Sequence, residues 1–178
     1  MTSPIDAPLE PGLYLPTADR RVVMYGRTWA DYEAQLALQG ERSRPKLAYL
    51  DGDIELMSPS RDHETINSRI GRVIDADLVH RRMHAIPNGE WTLKAQASEA
   101  GAQPDECYLF GEESDSKPRP DLVLEVGIDK LEIYRRLGIA EVWFWKTGAI
   151  SVYQLTANGY EPRPASIVVP GIDLAMIA

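Results

Sequence analysis

Four carboxylates and one lysine stand at positions where an apolar chain would ordinarily avoid charge: Glu55 in DIELM, Asp105 at the start of DECYLF, Asp121 and Glu125 around LVL, and Lys130 just beyond. Carboxylates on neighbouring strands repel one another. In a partly buried place they are unfavourable unless paired, protonated or bound to a cation. A hard divalent ion such as Mg2+ takes such oxygens, usually one or two carboxylates with water completing the shell. A lysine beside them can orient or activate water, or stabilise a developing negative charge. Spacing alone leaves plainer readings open. Positions 121, 123 and 125 share one strand face, so Glu55 and Glu125 can be the polar face of half-buried strands. A lysine next to two or three acids is also what a structural salt bridge looks like.

The elements that must position these groups follow from pattern. In RTWADYEAQLALQG, Thr28 and Asp31 form a capping-box-like start, Trp29, Tyr32 and Leu36 recur at helical spacing, and Gly40 stops the segment. Asp51-Gly52 in LAYLDGDIELMSPS predicts a hairpin. The clearest helix runs over 61–84, with Ile66, Ile70, Val73, Ile74 and Leu78 as its apolar stripe and Ser60 or Asp62 as its cap. GEWTLKAQASE, AQPDECYLFGE and LVLEVGI read as strands, with ESDSKPRP a loop before the last of these. DKLEIYRRLG reads as a short helix closed by Gly138, and AEVWFWKTGAISVYQL as a hairpin turning near Thr147-Gly148. The tail SIVVPGIDLAMIA is expected to add an edge strand. Residues 1–20, with four prolines and no periodicity, are expected to be an extended lead-in, and 21–178 one domain. The order predicts an α/β (α+β) fold with one central mixed sheet flanked by helices.

Composition bounds the function. The chain has 178 residues and a formal charge of −8, a poor balance for a general polyanion binder. Acids gathered around a bound cation are compatible with that balance. No run is long and apolar enough to span a membrane, no secretory signal is expected, and the single cysteine, Cys107, fits a reducing cytoplasm. There is no G-x-S-x-G or Cys-His signature of a nucleophilic hydrolase.

The blocks LAYLDGDIELMSPSRDHETI, QPDECYL and LVLEVGIDKLEIYRRLGIAEVWFW, in this order, resemble a large bacterial family of small restriction-endonuclease-like proteins (Uma-two-like) within the PD-(D/E)xK nuclease superfamily. The resemblance runs from about Leu47 to Leu155. It implies a restriction-endonuclease-like fold and a Mg2+ (or Mn2+) ion held between Asp105 and Glu125. Lys130 would be the motif lysine and Glu55 a further acid of the site. In the superfamily pattern the lysine stands two residues after the acid. Here that position is Gly127, and Lys130, five residues on, must reach back. Asp129 would act in or beside the site, while Asp121 reads as a residue leading into the strand. The implied activity is endonucleolytic hydrolysis of DNA, with a homodimer expected if both strands are cut.

Other features divide between site and scaffold. His63 would touch the site or a phosphate, or else serve as a surface or capping histidine. Arg69 and Arg72, with Arg81 and Arg82, form the basic patch able to meet a nucleic-acid backbone, partly cancelled by Asp75 and Asp77. His80 and His84 have a spacing that can bind zinc, without supporting acid or cysteine ligands. Trp143, Phe144 and Trp145 are expected in the core or a dimer interface. Two competing functions are a catalytically silent nuclease-fold binding or assembly protein and a carboxylate-pair sugar hydrolase.

Overall fold

A computed structural model describes residues 18–89, 91–112, 114–127 and 130–178. The capping box expected at Thr28 is present. The Thr28 hydroxyl accepts from the Asp31 amide (3.2 Å) and Asp31 accepts from the Thr28 amide (2.8 Å), which starts helix α1, Trp29–Gln39. Asp51 and Gly52 both adopt positive φ (48° and 93°), as a two-residue hairpin turn requires, and join β2, Lys46–Leu50, to β3, Asp53–Ser58. A strand not expected from sequence, β1, Arg20–Met24, pairs with the far edge of β3. With β5, Leu93–Ala95, and β6, Ala100–Ala102, these make an antiparallel sheet of order β1-β3-β2-β6-β5. Helix α1 covers one face of it, burying Tyr32 against Leu47, Tyr49 and Ile54.

The long helix α2 spans Arg61–His80, four residues shorter than its pattern suggested, because Arg82 turns to positive φ (55°). The Ser60 hydroxyl caps it by accepting from the His63 amide at 3.1 Å. Ile70, Ile74 and Leu78 pack on Leu122, Leu124 and Trp143. Each such burial contributes roughly 1.5–3 kcal/mol.

The second sheet contains β4, Ala85–Pro87; β7, Glu106–Phe110; β8, Leu122–Val126; β9, Glu141–Lys146; β10, Ala149–Thr156; and β11, Gly159–Arg163. Its order is β11-β10-β9-β8-β7-β4, and β8 and β9 are parallel, joined through helix α3, Leu131–Leu137. The class is α+β, with the strands divided between two sheets instead of gathered into one. The division falls at Gln103–Asp105, where Pro104, lacking an amide donor, interrupts the run between β6 and β7.

Two expectations change. The tail forms no edge strand: Pro170 and Gly171 (φ 79°) break the apolar run, and Asp173 caps a short helix α4, Leu174–Ile177. Val169, Ile172 and Ile177 thereby fold onto the α2 side of the core, and β11 takes the sheet edge. Nor is β8 half-buried, since all five of its residues are buried. Leu122 and Leu124 face α2, while Val123 faces the other sheet, in a core shared by Ala48, Ala100 and Ala102 of one sheet and Cys107 and Val142 of the other. Glu125 follows Val123 on that inner side, so it is not the solvated face of anything. Trp143 is fully buried, and Phe144, half-buried, meets Tyr153 edge-on at 5.8 Å.

Candidate active site

Strand β8 ends at Val126, and Gly127 (φ 85°) turns the chain at once. That turn lets α3 lie beside the strand it follows. Lys130 stands immediately before α3, and Tyr134 lies one turn further on the same helix face. Lys130 Nζ reaches Glu125 Oε1 at 3.2 Å and Oε2 at 3.1 Å, and the Tyr134 hydroxyl donates to Glu125 Oε1. Glu125 and Tyr134 are fully buried, and Lys130 is 7% exposed. Burial pushes the Glu125 carboxyl up; Lys130 pulls against that shift and Asp105 adds to it. Burial disfavours the Lys130 ammonium, but Glu125 and Asp105 outweigh it and raise its pKa. The hydroxyl of Tyr134 is driven well above its ordinary value by burial and by Glu125.

Asp105 sits at the junction where the chain passes from one sheet to the other. Its Oδ2 accepts from the Val126 amide (2.8 Å), which ties it to the residue after Glu125. His63 Nε2 lies 3.0 Å from the same Oδ2, and His63 Nδ1 lies 3.0 Å from Asp19 Oδ2. The other oxygen, Oδ1, is held by Lys46 Nζ at 2.6 Å. Burial disfavours the charged carboxylate, yet His63, Lys46 and Lys130 together hold Asp105 well below the usual carboxylate range. Burial likewise opposes the His63 imidazolium, but Asp105 and Asp19 raise its pKa. Glu125 of one sheet and Asp105 at the junction between the sheets thus meet Lys46 of the other sheet, Lys130 and Tyr134 from the α3 segment, and His63 of α2.

Of the residues singled out from sequence, Asp105, Glu125 and Lys130 come together. Glu55 lies on the inner face of β3, opposite Ala48, close enough to raise the pKa of Lys130, and it pairs loosely with Arg21 at 3.9 Å. His63 is as buried as the residues around it (5% exposed), with Nε2 against Asp105 and Nδ1 against Asp19. Asp121 accepts from the Phe110 amide (2.8 Å) and Lys117 Nζ (2.7 Å), pinning the start of β8. Asp129 lies outside the described residues, as does the expected lead-in as far as residue 17. Arg69 and Arg72 are exposed and, with Arg20, Arg44 and Arg61, line a cleft of about 600 Å³ at the start of α2, where Glu64 is the acid.

Lys46, Tyr134 and Asp19 were missed from sequence. Lys46 was findable: in KLAYL it shares a face with the inward Ala48. Tyr134 was findable from its spacing of four from Lys130. Asp19, in a stretch without periodicity, carried no signal.

Among the described residues no group of three or more His, Cys, Asp or Glu side chains is gathered as a metal site. The donor chemistry nevertheless fits a hard ion of the kind that takes two protein carboxylates and fills its shell with water or phosphate oxygens. Asp105 and Glu125 would be those ligands, in exchange for ammonium contacts they now make.

A search of curated proteins found no match. Among solved structures, the chain is similar to one described as a "putative nuclease belonging to DUF820" from Anabaena variabilis ATCC 29413, with a TM-score of 0.50 and 18% identity over 74% of this chain and 84% of that one. At that identity the likeness shows the fold alone, a restriction-endonuclease-like one. The profile of the Uma2 family, described as "Putative restriction endonuclease", matches residues 29–173, from the first residue of α1 to the cap of α4. The chain therefore belongs to the Uma2 family.

Proposed function

We propose that this chain is a divalent-metal-dependent endonuclease that hydrolyses phosphodiester bonds of DNA. The observation that carries the reading is the convergence of Asp105 and Glu125 with Lys130 at one buried point between the two sheets. A Mg2+ or Mn2+ ion on the two carboxylates would polarise the phosphodiester and lower the pKa of a bound water. The Lys130 ammonium provides positive charge where the phosphate oxygens gain negative charge. The Val126 amide and His63 fix the rotamer of Asp105, and the Tyr134 hydroxyl fixes Glu125. Glu55, in the field of Lys130, holds water on the inner side of the site. The arginine-lined cleft, including Arg69 and Arg72, receives the phosphate backbone in spite of the chain's overall negative charge. Cutting both strands requires two such sites, hence a homodimer, and the cytoplasm is the compartment that fits. No helix among the described residues is long and apolar enough to cross a membrane.

One observation favours a second reading. Both acids are sealed from solvent and already matched by the protein's own ammonium groups, as expected for a nuclease fold kept for binding without cleavage. Incubation with supercoiled plasmid and Mg2+ or Mn2+ separates the two. Metal-dependent nicking that disappears in Glu125→Gln supports the nuclease. Retained DNA binding with no cleavage under any metal selects the silent protein.

A further inference from the structure

The two oxygens of Asp105 are unequal. Oδ2 is committed to the Val126 amide and His63, both within 3.0 Å, so Oδ1 is the oxygen left to bind an ion. That oxygen carries Lys46 Nζ at 2.6 Å, and the same ammonium donates to the Pro104 carbonyl at 2.7 Å. Lys46 is not walled in as Lys130 is. Its side chain keeps 13% of its exposure and borders a cleft of about 530 Å³ that also reaches Asn67 and Glu106. Within that cleft Glu106 Oε2 and Asn67 Oδ1 are buried acceptors with no hydrogen-bond partner among the described residues, and the charge of Lys46 already acts on the Glu106 carboxyl. A buried acceptor is better placed with a donor than without one, so both can receive the Lys46 ammonium.

We propose that Lys46 is a two-position cation: it occupies the ion's place on Asp105 Oδ1 in the resting site and swings into the neighbouring cleft, onto Glu106 and Asn67, when a divalent ion enters. Ion binding is then a cation exchange. The affinity of the site for metal is weakened by the contact that Lys46 must give up. This inference rests on Asp105 and Glu125 being the ion's ligands. Its physical basis is that an ammonium and a divalent ion cannot share one carboxylate oxygen at contact distance without strong repulsion.

Calorimetric titration of the full chain with Mn2+ tests it, comparing the wild type with Lys46→Met and Glu125→Gln. Lys46→Met is expected to bind Mn2+ about tenfold or more tightly than the wild type, since one competing positive charge is gone. Glu125→Gln is expected to bind weakly or not at all. Equal affinity of wild type and Lys46→Met, with Glu125→Gln still impaired, overturns the exchange and leaves the metal site standing. No Mn2+ binding by any of the three overturns both. A measurement on the wild type alone is independent of how the variant folds: reductive methylation of lysines read by mass spectrometry, with and without saturating Mg2+. Lys46 is expected to become several-fold more reactive with the ion present, because it moves from Asp105 to the cleft. Unchanged protection of Lys46 at saturating Mg2+ overturns the proposal.

Discussion

Lys130 is separated from Glu125 by four residues of chain, yet its ammonium lies 3.2 and 3.1 Å from the two oxygens of that carboxylate. The turn at Gly127 makes this possible. Its positive φ of 85° reverses the chain directly after β8, a conformation that L side chains rarely adopt. The lysine therefore approaches its acid from the start of a helix and not from the strand that carries the acid.

Replacing Lys130 by Met should leave the buried Glu125 short of its main counter-charge. The expected loss of stability is about 3–5 kcal/mol, typical of breaking a buried pair from one side. The double variant Glu125→Gln, Lys130→Met should lose distinctly less than the two single losses added together. Urea denaturation of the four proteins measures the coupling. Additive losses would mean that the two groups do not depend on each other.

Tyr134→Phe should weaken the fold by about 1.5–3 kcal/mol, the range for a hydrogen bond to a charged acceptor. In a Glu125→Gln background the same substitution should be milder, near 1 kcal/mol, because the acceptor is then neutral. The comparison of unfolding midpoints in the two backgrounds decides whether Tyr134 acts through Glu125 or merely fills space.

Much of this was legible in the sequence because local chemistry and tertiary environment agreed. Thr28 with Asp31, Ser60 and the Asp51-Gly52 turn each dictate their own backbone, and each appears where the pattern puts it. Asp105, Glu125 and Lys130 were findable because charge in an apolar run is conspicuous. What was hidden depends on contacts distant in sequence. Glu125 looked like a possible solvated face, because alternation cannot report a second sheet covering that side of β8. Alternation puts Lys46 on the inner face but cannot say that it meets an acid 59 residues away, and His63 meets Asp19 44 residues away, a pairing for which the sequence carries no signal. The tail's apolar residues looked like a strand, but they are buried by folding back around Pro170-Gly171.

Arg69→Ala and Arg72→Ala should each reduce DNA affinity without altering stability, since both side chains are exposed on α2. Each lost phosphate contact should flatten the dependence of log affinity on log salt by about 0.9. Fluorescence anisotropy over a salt series reads both effects. A steep wild-type slope that survives both substitutions would place the backbone on another face.

The Glu132 carboxylate is held at about 2 by Arg135 and Arg136, and Arg136 also clasps Asp51 at 2.5 and 2.6 Å. A depressed carboxyl pKa adds stability above its unfolded value of about 4.5, and that increment disappears as pH falls through the folded value. The stability difference between wild type and Arg136→Met should therefore be fully present near neutrality and should shrink between about pH 5 and pH 2. The effect will be modest, because the Glu132 and Asp51 carboxylates are exposed to solvent. Denaturation curves collected along that range check the direction. A gap that widens on acidification would contradict it.

Glu141 is the acid of the AEVWFW run, and its surroundings assign it to the scaffold. It is fully buried on β9, its Oε1 accepts from Trp143 Nε1 (2.6 Å) and the Ser166 hydroxyl (2.5 Å), and its Oε2 accepts from the Ile167 amide (2.8 Å). One carboxylate thus ties the central parallel strand to the segment that follows β11 and leads to α4. Removing it leaves four donors without their acceptor, the Trp143 indole and Ser166 hydroxyl in the buried interior and the Ile167 and Val168 amides at its margin, so Glu141→Ala should lose about 3–5 kcal/mol or fail to fold at physiological temperature. Glu141→Gln keeps one acceptor oxygen and should lose distinctly less. If the folded fraction of Glu141→Gln retains metal binding equal to the wild type, Glu141 belongs to the frame around the site. If metal affinity falls in step with the Glu125→Gln variant while stability is unchanged, Glu141 would have to be moved from the frame into the site itself.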